Sequence, residues 1–129
     1  MKLLLDTHIW LWSLQNSKFL GKRVAQELRN PLNELWLSPI STWEALTLHS
    51  TGRIVLPGNL AEWVTRATAP LREAPLTHEI AIAARELRIQ HQDPADRFLA
   101  ATAHVLDLTL VTADVTLLGL GEISPLANR

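Results

Sequence analysis

Asp93-Pro94-Ala95-Asp96-Arg97-Phe98-Leu99-Ala100-Ala101, with Thr109-Leu110-Val111-Thr112 and then Asp114 behind it, is the stretch whose reading decides the fold. Asp93 can cap a helix, Pro94 suits the first helical position because its missing N–H would have no partner there anyway, and Asp96 puts an acid in the first turn. No other helix start in the chain is as clear. The apolar Phe98 to Ala101 run continues it, and the β-prone run from Thr109 to Thr112, ending at Asp114, reads as a strand.

The same alternation extends outward in both directions. Leu3-Leu4-Leu5 is a short apolar run ending in Asp6-Thr7, after which Ile9, Trp10, Trp12 and Leu14 suit a helix. A charged stretch with apolar Val24, Ala25 and Leu28 reads as a second helix, stopped near Asn30-Pro31 because proline disfavours a helical residue before it. Leu35-Trp36-Leu37 is the next strand. Ser38-Pro39 then repeats the cap-and-proline signal, opening a helix that carries Glu44 and ends near Gly52. Scaffold helices are expected from about Leu60 to Ala69 and from Thr77 to Leu87, the latter capped by Thr77. A last weak strand is expected near Glu122-Ile123. Short strands separated by helices imply an α/β fold whose parallel sheet is covered on both faces.

Composition narrows the classes. The 129 residues fit one domain over 1–129, and 47% hydrophobic with 19% charged residues is too apolar for a disordered chain. With no cysteine there is no disulfide, thiolate nucleophile or thiolate zinc site, which is compatible with cytoplasm. Asp6 interrupts the opening apolar run before a secretory core could form, and no stretch approaches the roughly 20 apolar residues that span a bilayer, so a soluble, cytoplasmic protein is expected. The formal charge of -1 gives no general attraction to nucleic acid. A local cluster of Arg85, Arg88 and Arg97 could line a groove, or could simply be solvated helix faces.

The acids carry the chemistry. Asp6 and Asp114 each sit just beyond an apolar strand, where open parallel sheets place their ligand crevice, although each could also be a helix cap. Asp93 is the better cap of its helix start, which leaves Asp96 as the better ligand. Glu44 lies mid-helix among apolar neighbours, where a plain surface glutamate is an equal reading. Carboxylates converging in a crevice repel each other unless a cation neutralises them, and all-oxygen ligands favour Mg²⁺ or Mn²⁺. Such an ion points to phosphate-ester chemistry by an activated water.

Other chemistries lack their patterns. Among the five histidines, His8, His49, His78, His91 and His104, there is no i, i+4 pair and no His-Glu-x-x-His. Neither phosphate-cradling glycine loop is present, Gly119-x-Gly121 reads as a turn, and no Gly-x-Ser-x-Gly supports a serine triad. Trp10 and Trp12 fall two apart and cannot share one helix face, so one tryptophan of the five could be exposed and suit a protein interface.

Leu3-Leu4-Leu5-Asp6-Thr7-His8, Ser41-Thr42-Trp43-Glu44, the Asp93 to Ala103 segment and Leu110-Val111-Thr112-Ala113-Asp114 together resemble a PIN-domain protein of the VapC toxin type. The match spans nearly the whole chain, and Ala95 stands where the family usually has an aromatic. The resemblance implies a three-layer sandwich, a short parallel sheet flanked by helices. It implies Asp6, Glu44, Asp96 and Asp114 as ligands of Mg²⁺, with Mn²⁺ able to substitute, Thr112 supporting them by hydrogen bonding and Arg97 available to RNA phosphate, to the antitoxin or to an ordinary salt bridge. It further implies an endoribonuclease acting on structured RNA such as transfer RNA, a homodimer, and silencing by a cognate VapB-type antitoxin. A receiver domain would need a lysine after a late strand, yet Lys2, Lys18 and Lys22 all lie in the first quarter. A dehalogenase-type phosphatase would need a second aspartate two residues after Asp6. The remaining alternative is a non-catalytic PIN-like module that binds RNA or protein.

Overall fold

Leu3, Leu4 and Leu5 are all buried because their strand, β1 (Lys2–Leu5), lies in the middle of a five-stranded sheet. A central strand covered on both faces needs apolar residues at every position, in place of the alternation of a half-exposed one. The computed structural model describes residues 1–15, 18–89 and 93–129. In chain order they form β1, α1 (Thr7–Leu14), α2 (Lys22–Arg29), β2 (Glu34–Leu37), α3 (Pro39–Ser50), α4 (Leu60–Thr68), β3 (Arg72–Glu73), α5 (His78–Glu86), α6 (Pro94–Leu106), β4 (Thr109–Thr112), α7 (Val115–Leu118) and β5 (Ser124–Ala127).

The strand order is β3-β2-β1-β4-β5, with every neighbouring pair parallel. Strand side chains alternate between two cores. Leu3, Leu5, Leu37 and Val111 face one, with Trp10 of α1, Val24 of α2, Ala45 of α3 and Trp63 of α4. Leu4 and Leu110 face the other, with Leu99, Ala100 and Ala103 of α6 and Leu117 of α7, and α5 packs on the outer side of α6 through Ile80, Ala84 and Ala101. Three layers result, as the family resemblance implied.

The predicted caps are present. Ser38 Oγ accepts from Ile40 N at 3.1 Å, Thr77 Oγ1 from Ile80 N at 3.2 Å and Asp93 Oδ1 from Ala95 N at 3.0 Å. Two strands differ from expectation. The last one is Ser124–Ala127, two residues beyond Glu122-Ile123, because Ile123 is a buried core residue placed before the ladder begins. Pro125 lacks an N–H, which an edge strand tolerates. The two-residue β3 at the opposite edge was not expected at all. Its Arg72 Nε approaches Glu34 Oε1 at 3.3 Å, and the guanidinium lies over the Trp36 ring at 5.9 Å. Among the described residues no helix is long and apolar enough to cross a membrane.

Candidate active site

After β1 the chain turns to β2 on one side, while β4 occupies the other side of β1. The crevice of an open parallel sheet lies at such a reversal, beyond the carboxyl ends of the two strands. Asp6 follows β1 there, and Asp114 follows β4 by two residues. A cavity of about 430 Å³ at this point is lined by Asp6, His8, Ile9, Trp12, Glu44, Asp93, Asp96, Ala113 and Asp114. All four acids expected as ligands therefore share one cavity, and Asp93 joins them.

Two buried threonines organise the acids. Asp6 Oδ1 accepts from Thr7 N at 2.6 Å and Oδ2 accepts from Thr112 Oγ1 at 2.6 Å. Thr112 Oγ1 in turn accepts from Asp114 N at 3.0 Å, so one hydroxyl fixes both the Asp6 carboxylate and the backbone of Asp114. Thr7 Oγ1 donates to Glu44 Oε1 at 2.5 Å, tying the middle of α3 to the start of α1. Thr112 was expected in this role. Thr7 was not, although a hydroxyl directly after the strand-end acid was the sequence signal for it. Asp114 also caps α7, with Oδ1 accepting from Thr116 N at 2.8 Å and Leu117 N at 3.3 Å, and Asp93 caps α6. Cap and cavity wall are compatible roles for an acid at a helix start.

Burial lifts the Asp6 carboxyl above its ordinary value; bonds from Thr112 and Thr7 and nearby His8 oppose this, and Asp114 adds to it. Burial also raises Glu44, opposed by the Thr7 bond and by His8, and reinforced by Asp93 and Asp6. The unfolded chain holds both as ordinary carboxyls. Between the ordinary and the raised values the folded state binds more protons, so stability falls as pH rises through that interval. Metal-free protein is expected to show this fall in urea unfolding at stepped pH, and the Asp6→Asn variant to show less of it. Equal pH slopes for the two proteins would contradict a desolvated Asp6 charge.

Arg97 does not meet the cavity. Its Nε donates to Ala84 O at 3.0 Å, Nη1 to Ile89 O at 3.1 Å, and Nη2 to Leu87 O at 3.0 Å and Arg85 O at 3.2 Å. The guanidinium thus closes the carboxyl end of α5, where free carbonyls and the helix dipole favour a cation. Among the described residues its partners are these four carbonyls, with no carboxylate among them. Arg85 and Arg88 are exposed and also lie off the cavity lining, in keeping with solvated helix faces, the other reading of the arginine cluster. His91 lies outside the described residues. The exposed tryptophan is Trp43, 60% accessible, whereas Trp10 is buried against Trp63.

Hard oxygen donors suit Mg²⁺ or Mn²⁺. Among the described residues no three acidic or histidine side chains stand close enough to hold an ion together. Mg²⁺ does not need such a cage, because it keeps several waters and takes one or two carboxylates. The cavity has the volume for an ion with its water, and Asp6 Oδ1, Asp6 Oδ2 and Glu44 Oε1 each accept one of the hydrogen bonds described above where a carboxylate oxygen has two lone pairs.

The PIN domain model matches residues 3–121, and the chain belongs to the PIN domain family. No curated protein matches it. Its fold is that of several solved structures of low sequence identity. A VapBC2 complex of Rickettsia felis, bound to a DNA fragment from its promoter, matches at TM-score 0.72 and 16% identity over 100% of both chains. DNA-bound VapBC of Salmonella typhimurium matches at 0.72 and 17% over 98% of both. FitAcB of Neisseria gonorrhoeae matches at 0.68 and 22% over 95% of both.

Proposed function

We propose that this PIN-domain protein is a metal-dependent endoribonuclease, the toxin of a toxin–antitoxin pair. The observation that carries the reading is five carboxylates on one cavity at the sheet's reversal point, four of them matching the family's motif. RNA phosphate and this cavity are both negative, so a cation between them is required for binding as well as for reaction. Mg²⁺ or Mn²⁺, when bound, lowers the pKa of a water and offsets charge on the phosphate oxygens. Asp6, Glu44, Asp96 and Asp114 would hold it, one or two of them directly and the others through its waters. Thr7 and Thr112 keep the Asp6 and Glu44 oxygens oriented toward the cavity, and the backbone N–H groups of Thr116 and Leu117 fix Asp114.

A cognate antitoxin of VapB type is the proposed partner, and a homodimer the proposed assembly. Support for a protein partner comes from the apolar groove of about 510 Å³ beside α3 and α4, bordered by Trp43, Leu46, Val64 and Leu71. Its exposed tryptophan suits an interface.

The test is incubation of purified, partner-free protein with total transfer and ribosomal RNA in Mn²⁺, Mg²⁺ or chelator. Discrete products with metal and none with chelator are expected. Intact RNA under all three conditions would instead leave a non-catalytic RNA- or protein-binding module.

A further inference from the structure

His8 and Trp12 line the acidic cavity beside its carboxylates, and His8 favours the charged forms of Asp6 and Glu44. His8 and Trp12 lie four apart on α1 and so share a face, with ring centroids 5.7 Å apart. Beyond them, away from the acids, Phe19 continues the row at 5.5 Å from Trp12. His8 is exposed, Trp12 half-buried, and Phe19 62% accessible. A phenylalanine left so open forgoes the gain of burying its ring.

Phe19 is nevertheless anchored. Asn128 Nδ2 donates to Phe19 O at 2.9 Å, and Asn128 Oδ1 accepts from Gly21 N at 2.6 Å. Any Cβ at position 21 would run into the Arg129 carbonyl, so only glycine allows this close approach. Asn128 N also donates to Thr112 O at 2.9 Å. Thr112 is the residue whose hydroxyl holds Asp6. The aromatic row and the carboxylates are therefore fixed to the same strand end, at a set distance from each other.

We propose that His8, Trp12 and Phe19 form a stacking platform for an unpaired nucleobase of the RNA strand whose phosphate enters the acidic cavity. The proposal rests on the nuclease reading for its substrate and assigns the base contact beside the cavity to these three rings. Ring faces beside a phosphate-handling cavity match how proteins take single-stranded RNA, since every base has a π-face and stacking tolerates any sequence. Bases paired within a duplex present no such face. The platform also answers the near-neutral charge, because stacking supplies affinity that a basic groove would otherwise provide.

Two assays separate this proposal from the nuclease reading. Binding of a short single-stranded RNA, and of its blunt duplex, is followed by tryptophan fluorescence in wild type, Phe19→Ala, Phe19→Leu and Phe19→Trp. Hydrolysis of a short abasic ribose-phosphate strand, a phosphodiester that carries no aromatic ring, is measured in Mn²⁺. Wild type is expected to prefer the single strand. Phe19→Ala and Phe19→Leu should weaken that binding about tenfold, as loss of one stacked base does, and Phe19→Trp should restore it. Baseless hydrolysis should be the same in all four proteins. Wild type that ignores single-stranded RNA, leucine that binds as phenylalanine does, or equal losses for strand and duplex would each overturn the platform. Absent hydrolysis with Phe19-dependent binding would overturn the nuclease and leave the platform standing.

Discussion

Asp6→Asn protein is expected to lose more than about 100-fold of its metal-dependent RNA cleavage, and Thr112→Val protein about 10- to 100-fold, the range typical of removing a residue that only orients a ligand. The order comes from the hydrogen bonds. Asparagine keeps the shape of Asp6 and can still accept from Thr7 N, but it removes the charge that would attract the cation. Valine at position 112 leaves the charge and takes away the hydroxyl that bonds Asp6 Oδ2 and Asp114 N. Thr7→Val should behave like Thr112→Val, because it releases Glu44 from the same network. Rates of RNA cleavage for the three variants, each checked for a native melting transition, provide the measurement. Undiminished cleavage by Asp6→Asn would remove the cavity from the mechanism, and a Thr112→Val loss as large as that of Asp6→Asn would mean the hydroxyl does more than orient.

The elements that were legible in the sequence are those whose signal is local. A cap with proline directly after it marks the starts of α3 and α6 in the residues themselves, and Leu3-Leu4-Leu5 can be buried throughout only as a central strand. The strand-end acids were legible for the same reason, since a parallel sheet gathers the residues just past its strands along one edge. The features that escaped depend on partners far away in sequence. Arg72-Glu73 becomes a strand only because Trp36 and Leu37 lie beside it, and nothing apolar in the pair announces it. Arg97 looked available to phosphate because the carbonyls it closes belong to another helix and the loop after it. The aromatic row was hidden for a similar reason. His8 and Trp12 are related by helical spacing, but Phe19 joins them through Asn128, more than a hundred residues away in sequence.

Mg²⁺ or Mn²⁺ at about 100 times its dissociation constant is expected to raise the melting temperature by roughly 10 °C. A ligand that binds only the folded state stabilises it by about 2.7 kcal/mol at that concentration, and for a chain of this size each kcal/mol moves the midpoint by roughly 3 to 5 °C. The physical source is in the cavity. Asp6 and Glu44 are both disfavoured as anions by burial and by neighbouring carboxylates, so an ion that neutralises the cavity relieves a strain the metal-free fold carries at neutral pH. The shift should shrink as pH falls toward the raised carboxyl values, because protons then compete with the metal for the same oxygens. It should vanish in the Asp6→Asn/Asp114→Asn double variant. That variant should also melt higher than wild type in chelator, since two charges that repel each other are gone. An equal metal-induced rise in both proteins would place the ion elsewhere on the surface, and no rise in wild type would leave the carboxylates without the cation that the proposed chemistry requires.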